Sequence, residues 1–155
     1  MENARQLGVR LSKVTFDAVY SSPMERARRT AELAGFAHPS ITDLLKEADY
    51  GSYEGLTTRQ IQEIDPDWEL YHDGCPGGET PAQLYARADR FIELATQLGD
   101  GRVIAFSHGH FLRALAVAWI SVNITVAARL QLDVATISIL RDSERGRMIA
   151  LWNAA

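Results

Sequence analysis

Residues 102–113 read Arg-Val-Ile-Ala-Phe-Ser-His-Gly-His-Phe-Leu-Arg, and this stretch decides the fold. The apolar run Val103–Phe106 has the length of a buried strand, and the polar turn 107–109 leads directly into the helix-like run 111–120. Turn residues between a strand and the following helix lie at the carboxyl edge of an α/β sheet, where such proteins bind ligands. Because the free N–H groups that open a helix favour an anion, His108 is predicted to stand where a phosphate could be held.

The rest of the chain alternates between predicted strands and helices. An amphipathic helix is predicted at the beginning, where Ala4, Leu7, Leu11 and Val14 recur at helical spacing. Capping boxes predict helices that begin at Ser22, Thr57 and Thr80, and a short helix is predicted around 65–71. Strands are predicted at 16–20, 40–42, 103–106, 134–140 and 148–152, with the last two joined as a hairpin. This order predicts a three-layer α/β/α sandwich, in which residues 1–155 form a single domain with a mostly parallel sheet and an antiparallel edge.

Composition excludes several classes of function. The chain has 155 residues, of which 46% are hydrophobic and 23% charged, as in one soluble globular domain. Its net charge of -4 argues against a nucleic-acid partner, and Arg113 interrupts the best apolar run, so no membrane partner is expected. The single Cys75 rules out an internal disulfide and favours a cytoplasmic location.

Three side chains are candidates for chemistry on a phosphate group. Arg26 lies one turn into the helix after the first predicted strand, and its guanidinium matches two phosphate oxygens; surface ion pairing along the helix is the alternative. Glu47, in a loop, could protonate a leaving alcohol if its pKa is raised; a solvated loop glutamate is the alternative. His108 ends an apolar strand in a turn of small residues, a position that suits a functional histidine; a structural histidine is the alternative.

Two further residues of the same turn have less specific expectations. His110 could form half of a metal site with His108, but no third ligand has suitable spacing, so no metal is expected. His110 is instead expected to line the pocket or to pack beside Phe111. Arg113 is expected to pair with a carboxylate and fix the turn. A nucleotide-binding domain is excluded because no glycine-rich phosphate loop follows a strand.

Four stretches of the chain, in this order, resemble the histidine phosphatase family, the phosphoglycerate mutase-like proteins. The matching stretches are 20–31, 47–55, 76–80 and 107–113. The loops are most similar to the small acid-phosphatase branch of that family. The resemblance implies hydrolysis of small phosphomonoesters through a phosphohistidine, with no metal or cofactor and with a small phosphorylated substrate or inorganic phosphate as partner.

The resemblance also implies a role for each matching residue. Arg26 would bind the phosphoryl group, Glu47 would donate a proton to the leaving oxygen, and His108 would stabilise charge on the phosphoryl oxygens. These three residues are therefore the expected catalytic set. The expected substrate-binding set is Arg26, Ser22, Gly109 and His110.

One departure from the family changes what the chain is expected to do. The family's signature is an Arg-His-Gly motif that ends the first strand and carries the nucleophilic histidine, and this sequence contains no such motif. Residues 3–8 resemble the family's first helix, so the resemblance implies an N-terminally truncated chain that lacks the first strand. We therefore expect little or no phosphatase turnover, and homo-oligomers formed through unpaired strand edges. The alternatives are a non-catalytic module that binds phosphate esters or itself, and phosphoglycerate mutase activity in the full-length parent.

Overall fold

Three parallel strands form the central sheet of the computed structural model, which describes residues 2–155. Strand β1 (Ala18–Ser21) lies between β2 (Ser40–Ile41) and β3 (Val103–Phe106). The two four-residue strands β1 and β3 pair residue for residue, so both end at the same edge of the sheet. The predicted strand at 103–106 is therefore confirmed, and its carboxyl end lies beside that of β1.

Helices connect and cover these strands. In chain order they are α1 (Glu2–Leu11), α2 (Glu25–Leu33), α3 (Thr58–Ile64), α4 (Leu70–Asp73), α5 (Pro81–Thr96) and α6 (Gly109–Trp119). Helix α1 begins the described part of the chain, as the apolar spacing predicted. Ala4 and Leu7 are its buried residues.

Side chains of the sheet alternate between two hydrophobic clusters, one on each face. Val19 and Ile104 pack in the smaller cluster with residues of α1 and α2. Their neighbours Tyr20 and Ala105 pack in the larger cluster, which is built mainly from helices α3–α6. This alternation gives the three-layer α/β/α sandwich that the sequence predicted.

Two further strands form an antiparallel hairpin, β4 (Ile137–Arg141) and β5 (Met148–Ala154). The N–H of Gly146 donates to the carbonyl of Ser143 across the turn, at 2.8 Å. The hairpin was predicted as an edge of the main sheet, but it forms a separate two-stranded sheet. Its side chains nevertheless pack against both hydrophobic clusters.

The edge of β3 that faces away from β1 is open. Within residues 2–155, no strand pairs with this edge. Val103, Ile104 and Ala105 remain only half-buried, although β3 carries the turn that decides the fold. An unpaired strand edge presents N–H and C=O groups to which another chain can bind.

Two of the three predicted capping boxes are confirmed, those of Thr57 and Thr80 at the starts of α3 and α5. The third is wrong: α2 begins at Glu25 with Met24 as its N-cap, and no side chain caps it. The Ser22 hydroxyl instead accepts a hydrogen bond from the Met24 N–H at 3.2 Å and contacts a histidine far along the chain. The hydroxyl thus makes one local and one long-range contact, and neither caps α2.

The predicted short helix around 65–71 begins later than expected. Helix α4 starts at Leu70, because the carboxylate of Glu69 accepts a hydrogen bond from the Tyr71 N–H and caps the helix there. Trp68 precedes the helix, and its indole N–H donates to the carbonyl of Gly74 at 2.7 Å.

Two turns that follow Glu47 in the chain pack backbone against backbone. The N–H of Ser52 donates to the carbonyl of Pro76, and the N–H of Glu79 donates to the carbonyl of Asp49. A Cβ placed on Gly78 would overlap that same Asp49 carbonyl, so only glycine fits. The contact fixes the end of the loop that carries Glu47.

Candidate active site

The carboxyl ends of β1 and β3 bring Ser22 and His108 into direct contact. The N–H of Ser22 donates to the carbonyl of Phe106 at 2.9 Å, which extends the pairing of the two strands beyond their ends. Nε2 of His108 lies 2.8 Å from the Ser22 hydroxyl. Both residues are buried, with 0% of Ser22 and 6% of His108 exposed. His108 is therefore held in one orientation by the β1–β3 register.

Arg26 approaches His108 from the first turn of α2. Its Nε lies 2.9 Å from Nδ1 of His108. A guanidinium N–H can only donate, so Nδ1 is the acceptor, and the ring carries its proton on Nε2, towards the Ser22 hydroxyl. Burial and the charge of Arg26 both lower the pKa of His108, which keeps this ring neutral. The alternative of surface pairing for Arg26 is not what the structure shows; Arg29 makes that contact, to Glu32.

Glu47 reaches the same edge of the sheet from its loop. One carboxylate oxygen, Oε1, accepts hydrogen bonds from the N–H groups of Ala48 at 3.0 Å and of Phe111 at 2.9 Å. The other, Oε2, lies 3.4 Å from the backbone nitrogen of His110 and 3.5 Å from its ring Nδ1. Glu47 therefore binds at the N-terminus of α6, where free N–H groups favour a negative charge.

This position keeps Glu47 ionised. Burial raises the pKa of its carboxyl, but hydrogen bonding to His110, the charge of His110 and the backbone N–H groups outweigh it and lower the pKa from 4.5 to about 2. Proton donation by a loop glutamate such as Glu47 requires a raised pKa. In this arrangement that condition is not met.

Two tyrosines surround His110. The hydroxyl of Tyr50 lies 3.3 Å from the His110 ring nitrogens, and that of Tyr71 donates to the His110 carbonyl at 3.1 Å. Burial raises the pKa of both tyrosines, so both stay neutral. His110 therefore packs against these two rings beside Glu47, and its place in a substrate pocket stays a prediction.

Sequence analysis did not identify Arg87, which holds the Glu47 loop in place. Its guanidinium donates to both carboxylate oxygens of Glu79 at 2.7 Å and to the carbonyls of Lys46 and Glu47 at 2.7 and 3.2 Å. It also lies 4.5 Å from the centre of the Phe111 ring. In the sequence, Arg87 lies at a position of α5 where the apolar spacing predicts a buried residue. No motif in the sequence indicates which residues Arg87 binds.

A second contact ties the Glu47 loop to β3. The hydroxyl of Ser107 donates to the carbonyl of Leu45 at 2.7 Å. The turn after β3 thus holds His108 on one side and the Glu47 loop on the other. Gly109 begins α6, and a Cβ placed on it would meet no atom within 4 Å.

The expectation that Arg113 pairs with a carboxylate is wrong. Between residues 2 and 155, no carboxylate lies within ion-pair distance of Arg113, and its Nε is buried without a hydrogen-bond partner. Arg87 makes the predicted type of contact in its place, to Glu79. The Glu47 carboxylate, which reaches this turn from its loop, is bound by backbone N–H groups and lies beside His110.

The structure thus brings Arg26, Ser22 and His108 into one hydrogen-bonded group, and Glu47 and His110 into a second at the start of α6. In the described part of the chain, no group of three histidine, cysteine or acidic side chains is arranged to hold a metal ion. Among the helices of residues 2–155, none has the length and apolar character that crossing a bilayer requires.

Comparison with known proteins gives the family. The profile of the Histidine phosphatase superfamily (branch 1) matches residues 1–155. The chain belongs to this superfamily, which confirms the resemblance that the four stretches indicated. The α/β fold built around a parallel sheet is the fold of this class.

Two similar proteins carry the names of phosphatases. An acid phosphatase of Mycobacterium tuberculosis is 42% identical over 134 residues, covering 86% of this chain and 66% of the relative. Sedoheptulose 1,7-bisphosphatase of Saccharomyces cerevisiae is 31% identical over 131 residues, covering 68% of this chain and 48% of the relative. The chain thus spans less than two thirds of the length of either protein.

A solved structure shows the same arrangement of the chain. It is that of a functionally characterised open reading frame of Mycobacterium tuberculosis, with 38% identity and a TM-score of 0.94. The match covers 99% of this chain and 81% of the solved one.

Replacing Arg87 should destabilise the chain far more than replacing an exposed arginine. Arg87→Ala leaves the Glu79 carboxylate and the carbonyls that Arg87 binds without a partner in a buried place, which should cost about 3–5 kcal/mol in the free energy of unfolding. Arg87→Lys should recover only part of this, because an ammonium cannot reach all the acceptors at once. Urea unfolding followed by circular dichroism measures both values.

The matched control is Arg59→Ala, because Arg59 pairs with Glu63 at 3.6 Å on the surface, with 91% of its side chain exposed. Its loss should cost less than about 0.5 kcal/mol. Equal costs for Arg87→Ala and Arg59→Ala would contradict the role assigned to Arg87.

Proposed function

We propose that this chain carries the phosphate-binding and proton-donating side of a phosphatase site that acts on small phosphomonoesters. The observation that supports the proposal is the hydrogen bond between Arg26 and a buried, neutral His108 at the N-terminus of α6. Arginine donors, an imidazole N–H and a helix N-terminus are the groups that bind a phosphoryl group and stabilise its developing charge. The names of the relatives, acid phosphatase and sedoheptulose bisphosphatase, support the same class of substrate.

In this proposal, a bound phosphomonoester replaces the hydrogen bond between Arg26 and His108. Each of the two side chains then binds the phosphoryl group. The phosphate dianion competes for the Arg26 donors that now hold Nδ1 of His108. Once Nδ1 is released, a proton on it lets His108 donate to a phosphoryl oxygen as a cation. Glu47 lies across the start of α6, where it can act on the leaving oxygen. Ser22 keeps the His108 ring oriented through Nε2.

None of the four histidines of the sequence is placed as a free nucleophile. His38 and His72 are exposed, and His72 pairs with Asp73 at 2.7 Å. Both nitrogens of His108 are occupied, and His110 lies beside Glu47. We therefore infer that a phosphohistidine mechanism needs a nucleophile that these 155 residues do not supply. Phosphate binding without turnover is then the expected behaviour of this chain. The cytoplasmic location stays a prediction.

Phosphate binding should depend on Arg26 and not on its neighbour in the helix. Losing a charge-assisted hydrogen bond costs about 1.5–3 kcal/mol, so Arg26→Ala should weaken inorganic phosphate binding by at least about tenfold. Arg28→Ala is the matched control, because Arg28 is exposed on the same helix. Isothermal titration calorimetry at low salt measures both. Equal affinities of the two variants would contradict a phosphate site at Arg26.

Phosphate release from an aryl phosphate at mildly acid pH tests the catalytic part. The chain should show little release, and a version extended at its N-terminus by a strand ending in Arg-His-Gly should show much more, since that strand supplies the nucleophile. His108→Ala in the extended version should lower the rate by orders of magnitude.

Robust release by the unextended chain, lost in His108→Ala, would instead make His108 the nucleophile. Release by neither version would contradict the phosphatase proposal. Transfer of phosphate between positions of a phosphoglycerate by the extended version would favour the mutase alternative.

The open edge of β3 supports a second proposal, that the chain forms homo-oligomers. The carbonyls of Arg102 and Phe106 bind the β1 side, so the backbone groups of Val103 face the open edge. A second copy could add a strand there, as the sequence analysis expected.

Val103→Pro should weaken this association, because proline removes a donor from the open edge without touching the ladder to β1. Val103→Ala is the matched control, since it retains the donor. Sedimentation velocity over a range of concentrations measures the state of each variant. A wild-type chain that is monomeric at every concentration would contradict the proposal.

A further inference from the structure

The two oxygens of the Glu47 carboxylate have different surroundings. Oε1 is occupied by two backbone N–H groups, those of Ala48 and Phe111, at 3.0 and 2.9 Å. Oε2 has one long backbone contact, at 3.4 Å, and faces Nδ1 of His110 at 3.5 Å. A proton on Oε1 would point towards two fixed N–H donors and be repelled by them. Oε2 has only one long N–H contact and can therefore accept a proton. Any proton that Glu47 carries is therefore carried on Oε2.

His110 is the group placed to give that proton. Its ring is 36% exposed, so it can exchange protons with solvent, while the Glu47 side chain is only 19% exposed. We propose that His110 stores the proton that Glu47 delivers, so that the two side chains work as one acid. This inference rests on the proposed function, in which Glu47 serves the leaving oxygen. His110 acts through Glu47 and is a positioning and proton-storing residue.

Among the charged and titratable groups around Glu47, His110 is the one that can supply a proton to its carboxylate. Burial raises the pKa of the two tyrosines and of Cys75, so none of the three exchanges a proton in the mildly acid range. His110 is also the group whose charge acts on the Glu47 carboxyl. The other neighbours, which face the tyrosines, the Glu47 backbone or the pocket, are Glu54, Glu69, Arg87, His108 and Arg113.

The proton moves within the pair when Nδ1 and Oε2, which are 3.5 Å apart in this structure, approach to hydrogen-bond distance. The N–H bond at Nδ1 of the His110 imidazolium breaks and an O–H bond forms at Oε2 of Glu47. The imidazolium becomes neutral imidazole, and the carboxylate becomes a carboxylic acid that can protonate a departing alkoxide oxygen. Solvent returns the proton to the exposed ring. A carboxyl that is ionised at rest can thereby serve as a general acid.

Carbon-13 NMR of the chain with labelled glutamate carboxyl groups tests the coupling directly. The Glu47 signal should move in two steps as the pH rises, one near pH 2 when its own carboxyl ionises and one when the His110 imidazole loses its proton. In His110→Asn the second step should vanish. The first should shift upwards by about one pH unit or more, because the opposite charge is gone.

His72→Asn is the matched control, because His72 pairs with the carboxylate of Asp73 on the surface and lies outside the site. It should leave both Glu47 steps unchanged. A single Glu47 step in the wild type, or an unchanged curve in His110→Asn, would overturn the proposal, because backbone N–H groups alone would then hold the carboxylate. His110→Gln serves as a second variant, and the two-step curve of the wild type needs no variant to be informative.

These results are distinguishable from a failure of the proposed function. Isothermal titration calorimetry with inorganic phosphate tests the site at Arg26 and His108, and its heat response should appear whether or not the Glu47 curve has two steps. A two-step Glu47 curve without any phosphate response would retain the proton-storing pair and contradict the phosphate site. A phosphate response with a single Glu47 step would retain the phosphate site and contradict the proton-storing pair.

Discussion

The buried ion pair between Arg87 and Glu79 holds together the parts of the site that the strands do not. The guanidinium is bidentate on Glu79 and also binds carbonyls at the start of the Glu47 loop. A desolvated ion pair is stable only when its remaining hydrogen-bonding groups are also satisfied, and here the loop carbonyls satisfy them. The pair thus links α5, the turn at Glu79 and the loop of Glu47. If the pair is removed, the carbonyls of Lys46 and Glu47 lose their contacts to Arg87, which help to fix the position of Glu47 at the N-terminus of α6.

The two hydrogen-bonded groups of the site differ in the charge of their central side chain. His108 is buried beside a fixed positive charge and is therefore neutral, whereas Glu47 is buried beside a histidine and helix N–H groups and is therefore ionised. A phosphate bound as proposed would bring a negative charge to Arg26 and the N-terminus of α6. The Glu47 carboxylate is already balanced by His110 and by backbone N–H groups. The two groups share α6 as their common support.

Sequence patterns predicted the elements that depend on neighbours in the chain. The capping boxes at Thr57 and Thr80 and the strand 103–106 all follow from local spacing. The candidate residues Arg26, Glu47 and His108 follow from their positions in a first helical turn, a loop and a strand–helix turn, and the family resemblance then implies a role for each. Contacts over long distances along the chain could not be predicted in this way. The hydroxyl of Ser22 was expected to cap a helix, but it is committed to a histidine 86 residues away. Likewise the carbonyls that bind Arg87 belong to no motif, because any residue has a carbonyl.

The pairing of β1 with β3 also bears on how the chain folds. The strands are parallel neighbours in space, yet α2, β2 and the helices α3–α5 separate them along the chain. Closing so long a loop costs conformational entropy before any contact between the strands offsets it. Proteins dominated by such non-local pairing fold slowly compared with helical bundles of similar size. The contact between Ser22 and His108 lies at the ends of these two strands, so it forms only when the long-range pairing of β1 with β3 has formed.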